Sequence, residues 1–397
     1  RAHCVEEEGF DRAELLIKFN IQKCLRCLDY DHDGMSDWTE QTIGTKIDNP
    51  DSDGDGVYDS VEVGLVSPET NATNISLGYF VPDAHPGSTT DPGNPDTDGD
   101  GIPDGIEDAN WNGSVESGET DPNDSDSDND GSLDGNPDGG CEDLNNNGVV
   151  DPGETDPRNP DSDEDGIFDG TEMGFTEPEG SDTEISAGFF VADEEPTTTT
   201  NPVDADSDDD GIPDGQEDAN RNGKVDPGEL NPLSRDTDGD GLPDSVELGL
   251  SAPLGEGTDM SKFIPDSDPS TTSDPTNPDS DGDGIPDGQE DKNRNGAVDP
   301  GETDSADADS DNDGHSDGEE KEKGSDPLDD ESVPAIAVEG DCDGDGDVDR
   351  DDLNLIVAAR NQPASGPDDS RDLDGDGMIT ALDARKLIVI IRSQPVE

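Results

Sequence analysis

Apolar residues are too sparse along most of this chain to trace a helical or a strand period. From residue 29 to residue 330, Gly, Pro, Asp and Asn interrupt every run, so helices longer than one turn are not expected there. Three inserts break that texture: VGLVSPETNATNISLGYFVPD from Val63, MGFTEPEGSDTEISAGFFVAD from Met173 and LGLSAPLGEGTDMSKFIPD from Leu248. They hold Tyr79, Phe80, Phe189, Phe190 and Phe263 beside β-branched residues, a mixture that predicts short strands or small apolar plugs. The tails behind them, such as EEPTTTTNP, read as extended spacers. Helix is expected in two places, from Phe10 to Leu28 and in the last fifty residues. There Leu353, Ile356 and Val357, then Leu387, Ile388 and Ile391, fall at helical spacing. The longest apolar run is Leu387 to Ile391, far short of the roughly 18 residues a membrane-spanning helix needs.

The polar positions carry the order that the apolar ones lack. The pattern D-x-D-x-D-G-x-x-D-x-x-E is first met as DYDHDGMSDWTE from Asp29, and recurs from Asp51, Asp96, Asp161, Asp206, Asp236, Asp279 and Asp309. A sister form, D-x-N-x-N-G-x-x-D/E-x-G-E, starts at Asp108, Asp143, Asp218 and Asp291. One more copy, from Asp126, has its terminal acid displaced by the insertion NPDGGC, with Glu142 as the substitute. The loops from Asp51, Asp161 and Asp236 are each followed by an insert and then by a back-to-back pair, which marks duplication of a longer unit.

Composition sharpens the question these repeats raise. With 108 Asp+Glu against 21 Lys+Arg the formal charge is -87, and only 25% of residues are hydrophobic. Such a chain cannot bury enough apolar surface to offset its entropy and reads as disordered, unless disulfides or bound cations replace the core. Five cysteines cannot staple 397 residues, which leaves cations. The same charge argues against nucleic acid and against docking on anionic membranes. A solvated acidic tract has no reason to keep Gly in register with Asp, yet Gly holds position 6 throughout.

Calcium takes roughly six to eight oxygens, and a twelve-residue loop supplies them from positions 1, 3, 5, 7, 9 and 12. Position 7 gives its backbone carbonyl, so its side chain is expected to vary, and magnesium fits less well because it prefers fewer protein ligands. The first loop then offers Asp29, Asp31, Asp33, Met35, Asp37 and Glu40, and the second Asp51, Asp53, Asp55, Val57, Asp59 and Glu62. The third offers Asp96, Asp98, Asp100, Ile102, Asp104 and Glu107. The copy with the displaced acid offers Asp126, Asp128, Asp130, Asp134 and Glu142. Next come Asp161, Asp163, Asp165, Ile167, Asp169 and Glu172, then Asp206, Asp208, Asp210, Ile212, Asp214 and Glu217. After these stand Asp236, Asp238, Asp240, Leu242, Asp244 and Glu247. The last two offer Asp279, Asp281, Asp283, Ile285, Asp287 and Glu290, and Asp309, Asp311, Asp313, His315, Asp317 and Glu320.

Sister loops offer Asp108, Asn110, Asn112, Glu116 and Glu119, then Asp143, Asn145, Asn147, Val149, Asp151 and Glu154. The other two offer Asp218, Asn220, Asn222, Lys224, Asp226 and Glu229, and Asp291, Asn293, Asn295, Ala297, Asp299 and Glu302. Asn contributes neutral oxygens, so these sites are expected to bind more weakly. Glu290 directly precedes Asp291, which suggests that adjacent loops share or bridge ions. Across residues 29–330 the repeats resemble the thrombospondin type 3 family in its bacterial, cysteine-poor form. The resemblance implies a chain wrapped around a string of calcium ions, with little regular secondary structure and metal in place of a core.

From Asp341 the pattern changes to DCDGDGDVDRDDLNLIVAARN and DLDGDGMITALDARKLIVIIR, each a loop running into an apolar helix. This duplicated loop-helix resembles a dockerin type I domain over residues 341–397. The likeness implies ligands Asp341, Asp343, Asp345, Asp347, Asp349 and Asp352 in one loop, and Asp372, Asp374, Asp376, Met378, Thr380 and Asp383 in the other. It also implies a cohesin-like partner. Positions 10 and 11 are Arg350-Asp351 and Ala381-Leu382, unlike the Ser-Thr pair common in cellulosomal dockerins, and Val389 and Ile390 leave an apolar side for a partner.

Cys24-Leu-Arg-Cys27 is followed by Leu28 rather than His, which removes a c-type heme site. A local disulfide of Cys4 with Cys24 or Cys27 is the expectation, leaving Cys141 and Cys342 to pair, to join chains or to stay free. The start RAHCVEEEG has no leader-like pattern and reads as a mature or trimmed form. No catalytic constellation is visible, so an enzyme is not expected. The organisation expected is an N-terminal segment with a short helix (1–28), thirteen calcium loops (29–330), a linker (331–340) and a dockerin-like module (341–397). The fold class is a mostly irregular calcium-organised array with a few short strands in the inserts, plus a small all-α EF-hand-like module. The function expected is a secreted bacterial calcium-binding structural protein, a stiffened rod, stalk or filament subunit that partners itself head to tail. The alternative is a dockerin-bearing module of a cohesin-based or adhesive surface assembly.

Overall fold

The computed structural model describes residues 25–135, 142–334, 338–344, 346–366 and 369–393. These fall into two compact units. The first runs to Thr237 and takes Pro243–Asp266, and the second takes Asp238–Leu242 and everything from Ser267 on. Most of the helix expected from Phe10 to Leu28, together with Cys4, Cys24, Cys141 and Asp345, lies outside the described residues.

Regular structure is scarce, and the loop chemistry explains where it stands. Except for the loop from Asp126, which shows no helix among the described residues, each D-x-D-x-D-G loop ends in a helical turn that starts at position 9; six of these are single turns, α2 (Asp59–Glu62), α3 (Asp104–Glu107), α4 (Asp169–Glu172), α5 (Asp214–Glu217), α6 (Asp244–Glu247) and α7 (Asp287–Glu290). Pro103, Pro213, Pro243 and Pro286 precede their turns in extended backbone, a placement that costs no hydrogen bond at a helix start. Two turns grow longer than expected, α1 (Asp37–Ile43) and α8 (Asp317–Lys323). Ser36 and Ser316 cap their first turns, and Gly44 and Gly324 end them in the left-handed region.

The side chain at position 7 varies, but in seven full loops it is apolar and buried: Met35, Val57, Ile102, Ile167, Ile212, Leu242 and Ile285. Ser132 and His315 hold the place in the loops from Asp126 and Asp309. The sister loops differ, with Val149 58% exposed at the same position. Position 4 is left-handed throughout, as at His32, Asn129 and Glu164 or at Gly99 and Gly282. That is why Gly, Asn and Asp recur there.

The inserts form no strands among the described residues. Two of them hold a single 3₁₀ turn, Ile75–Leu77 and Ile185–Ala187. Their aromatics act as plugs: Tyr79 meets Tyr58 edge-on at 6.0 Å, and Phe189 meets Phe168 at 5.9 Å. The following aromatic lies on the position-6 glycine of the full loop one earlier than the loop that the insert directly follows, Phe80 on Gly34, Phe190 on Gly131 and Phe263 on Gly211. Any Cβ on Gly131 would overlap the Phe190 ring, so this glycine serves close approach as well as its φ of 99°. An insert therefore folds back onto a loop earlier in the chain.

Strand pairing occurs instead near the C-terminus. Strands β1 (Gln362–Pro363) and β2 (Met378–Ile379) pair antiparallel, and α9 (Arg350–Ala358) packs on α10 (Ala381–Ser393). Val348, Ile356, Ala359, Ile379 and Leu387 form the core between them. Of the expected stripe, Val357 turns outward at 56% exposed, and on α10 Val389 is 65% exposed. No helix among the described residues is long and apolar enough to cross a membrane.

Successive full loops stack through position 10. The Gly215 N–H donates to Asp165 Oδ2 at 2.6 Å, and a Cβ on Gly215 would lie 2.5 Å from the Asp165 carbonyl oxygen. Helix propensity alone makes Gly215→Ala stabilising by about 1 kcal/mol. Stacking makes it destabilising by about 1–3 kcal/mol, the usual cost of overpacking. Thermal unfolding of the calcium-loaded chain reads the sign.

Candidate metal centres

Each full loop closes on itself through carboxylate-to-amide bonds, and these bonds leave a defined remainder. In the loop from Asp96, Asp96 accepts the N–H groups of Gly99 at 2.9 Å and Gly101 at 3.1 Å. Asp98 Oδ1 accepts from Asp100 at 3.2 Å, and Asp100 Oδ1 from Ile102 at 2.7 Å. The other oxygen of the position-3 residue is buried without a donor at Asp31, Asp53, Asp98, Asp128, Asp163, Asp208, Asp281 and Asp311. At position 12, Glu40 and Glu217 have both oxygens in that condition. Glu62, Glu107, Glu142 and Glu172 have one, their other oxygen being taken by Thr90 at 3.2 Å, Thr120 at 3.0 Å, Thr155 at 3.1 Å and Thr200 at 2.8 Å. Glu142 thus has the surroundings of a position-12 acid, with Asp128, Asp130 and Asp134 beside it despite the insertion.

Position 9 departs from the simple loop scheme. Its carboxylate first braces its own loop: Asp59 accepts the N–H and hydroxyl of Ser52, each at 2.6 Å, and Asp104 the N–H of Thr97 at 2.7 Å and its hydroxyl at 2.6 Å. It then faces the cluster of the preceding full loop. Asp55, Glu62 and Asp104 bring one oxygen each within 4.8 Å of one another, and so do Asp100, Glu107 and Asp134. Asp169 stands in the same way near Asp130, Asp214 near Asp165, Asp287 near Asp240 and Asp317 near Asp283. These carboxylate groups therefore join successive full loops.

Burial and mutual repulsion raise these acids far above the ordinary carboxylate range. Desolvation first, then Asp53, Asp55 and Asp59, pushes Glu62 up to about 10. Desolvation with Asp98 and Asp100 pushes Glu107 to about 11, and desolvation with Asp31 and Asp33 pushes Glu40 to about 9. Few of the protein's own cations come near these clusters: Arg158 meets Asp156 at 2.7 Å, Lys224 meets Asp226 at 2.8 Å and Lys262 meets Asp209, while Arg221 lies near Asp161 and Asp165 and Arg235 near Asp210. Buried, clustered, donor-less carboxylate oxygens match what a hard divalent cation binds. Calcium fits this donor set, and the ion would supply the missing positive charge.

The sister loops are organised differently. Asn145 Nδ2 donates to Asp151 at 3.1 Å and Glu154 at 2.9 Å, and Asn147 Nδ2 donates to Asp151 at 3.1 Å. Asn220 and Asn222 do the same for Asp226, and Asn293 and Asn295 for Asp299. In Asn110 and Asn112 the recipients are Glu116 and Glu119. The amide nitrogens, not the oxygens, face the acids, so a cation there requires each amide to turn over. In the C-terminal loops the position-12 acids are likewise engaged. Asp352 accepts the Cys342 N–H at 2.5 Å and the Asp349 N–H at 2.8 Å, and Asp383 accepts those of Asp374 at 3.1 Å and Thr380 at 2.7 Å.

The loop spacing did not reveal the threonines that hold the position-12 acids. They recur before Asp or Asn and Pro, as in Thr90-Asp-Pro, Thr120-Asp-Pro and Thr200-Asn-Pro, a repeat visible once its use is known. The same holds for Thr73, Thr183 and Thr258 in the inserts, whose hydroxyls donate to Asp29, Asp126 and Asp206.

Four stretches, residues 96–110, 236–248, 279–293 and 309–330, match the family model of the bacterial TSP3 repeat, which supports the repeat array. Each begins on a full loop, and none lies within 341–397. No curated protein and no solved structure matches the chain.

Raised folded-state pKa values set the pH response. A carboxylate raised from its unfolded value of about 4 stabilises the fold while protonated and loses that contribution as pH rises through the folded value. With chelator, the chain should therefore gain ellipticity and compactness as pH falls from 9 to 5; with calcium the order reverses, because protons compete for the same oxygens. Shared ligation predicts a displaced effect for Asp104→Asn. One ion should bind at least tenfold more weakly, about 1.4 kcal/mol, and amide exchange should quicken at Val57 in the preceding loop before Ile102 in its own.

Proposed function

We propose that this chain is a secreted calcium-binding structural protein, a rod, stalk or filament subunit stiffened by a line of ions outside a bacterial cell. The observation that carries this reading is the row of buried carboxylate oxygens without donors, repeated from Asp31 to Asp311. Each divalent ion offsets two of the 87 net negative charges, so folding and ion binding become one event. Calcium at extracellular concentrations fills weak sites that cytosolic levels leave empty, which favours a role outside the cell. Because a full loop leans on its neighbour, stiffness is inherited along the array, as in other quasi-one-dimensional repeats.

A second reading concerns the C-terminal loop-helix pair. Its own core is satisfied by Val348, Ile356, Ile379 and Leu387, while Leu382 and Val389 remain exposed on α10. That surface supports attachment of the array to a cohesin-like domain or to another copy. Electron microscopy of the full chain in calcium should show uniform elongated particles or filaments that disappear on chelation. Compact particles in both conditions would overturn the rod. Retention of the full chain, but not of a Leu382→Asp/Val389→Asp variant, on an immobilised cohesin tests the attachment.

A further inference from the structure

The carboxylates that end two of the inserts have no place in the twelve-residue scheme, yet they are among the better-buried acids of the chain. Asp83 closes VGLVSPETNATNISLGYFVPD and is 4% exposed, and Asp193 closes MGFTEPEGSDTEISAGFFVAD and is also 4% exposed. One oxygen of each is used locally: the His85 N–H donates to Asp83 Oδ1 and the Glu195 N–H to Asp193 Oδ1, both at 2.6 Å. The second oxygen, Oδ2, is buried without a donor in both residues.

Both acids are held against a sister loop by the same device. The Asp83 N–H donates to the Leu65 carbonyl at 2.9 Å, and the Ala84 N–H to the Asn112 carbonyl at 2.8 Å. At the second site, Asp193 donates to the Phe175 carbonyl and Glu194 to the Asn222 carbonyl, both at 2.8 Å. This seats Asp83 beside Gly113, whose N–H donates at 2.7 Å to Asp108 Oδ2, and Asp193 beside Gly223, whose N–H donates at 2.8 Å to Asp218 Oδ2. A Cβ on either glycine would come within 2.6 Å of the insert carboxylate, so the approach is tight and depends on Gly. The first acid of each sister loop is the insert carboxylate's acidic neighbour, and burial together with that neighbour raises Asp83 and Asp193.

We infer that Asp83 with Asp108, and Asp193 with Asp218, each hold one divalent hard cation that ties an insert to its sister loop. The inference rests on the calcium reading of the array and adds ligands from outside the loops. An oxygen buried without a donor, on a carboxylate that flanks the same sister-loop glycine as a second carboxylate in two separate repeats, is satisfied by a cation or by a proton. The two alternatives respond oppositely to Asn, which mimics a protonated carboxyl but cannot neutralise a cation.

The test uses the full chain and its Asp83→Asn, Asp193→Asn and doubly substituted variants in millimolar calcium, with ions counted by native mass spectrometry. Each single variant should hold one ion fewer than the parent and the double variant two fewer. Amide exchange at Ala84 and Glu194 should quicken while Met35 and Ile285 stay protected, which shows that the rest of the array remains folded. Equal ion counts in parent and variants, with protection of Ala84 and Glu194 unchanged, overturn the inference and leave the calcium array standing. A parent that holds no ions overturns the array and this inference together.

Discussion

Repulsion among buried carboxylates is the constraint on which the rest of this structure depends. Glu107, Asp100 and Asp134 place oxygens within 4.8 Å of one another in a buried setting, and the same grouping recurs at Asp55, Glu62 and Asp104. An uncompensated cluster of this kind costs several kcal/mol per charge in a protein interior. The few apolar residues at position 7 cannot offset that on their own, since each contributes at most about 1.5–3 kcal/mol when fully buried. In the calcium reading proposed above, cations would act as the organising centres, with the apolar residues filling the space between them.

From this follows the way the chain is built. The position-9 acid braces its own loop through residue 2 and completes the group of the loop before it, so neither loop's environment is closed without the other. Position 10 reinforces the link, since the Gly170 N–H reaches Asp130 and the Gly318 N–H reaches Asp283. At Ser60 and Ser245 a side chain occupies that place, and Asp33 Oδ2 and Asp210 Oδ2 in the preceding loops have no donor. The inserts add longer-range ties, with Phe80 reaching back to Gly34 and Ala84 forward to Asn112. Coupling between neighbours is thus written into the backbone as well as into any shared ion.

The alternation of Asp, the Gly at position 6 and the acid at position 12 could be read from the sequence because they follow from local geometry within twelve residues. Helices in the last fifty residues were readable for the same reason, since Ile356 and Leu387 keep a helical period. What escaped depends on contacts between segments far apart in the chain. Gly215 looks like a free choice until it meets the Asp165 carbonyl, and Thr120 looks like spacer until it meets Glu107. The apolar residue at position 7 was discounted because its carbonyl, not its side chain, was given a role, yet Ile102 and Ile167 are buried. For the inserts the mixture around Tyr79, Phe80 and Phe189 left short strands and small apolar plugs both open, and without a partner edge those aromatics act as plugs on the loops. Asn145 and Asn220 meet the sister-loop acids through their amide nitrogens, a contact that the spacing alone does not give.

The central claim is that cation charge does the work of a core, and amide hydrogen exchange of the full chain tests it most directly. Val57, Ile102, Ile167, Ile212 and Ile285 are buried, and each donates its N–H to a position-5 carboxylate at 2.7 or 2.8 Å. With millimolar calcium at pH 7 these amides should exchange slowly, and after chelation they should exchange at the rate of an unstructured chain. Protection that survives calcium removal at these five amides would contradict the account.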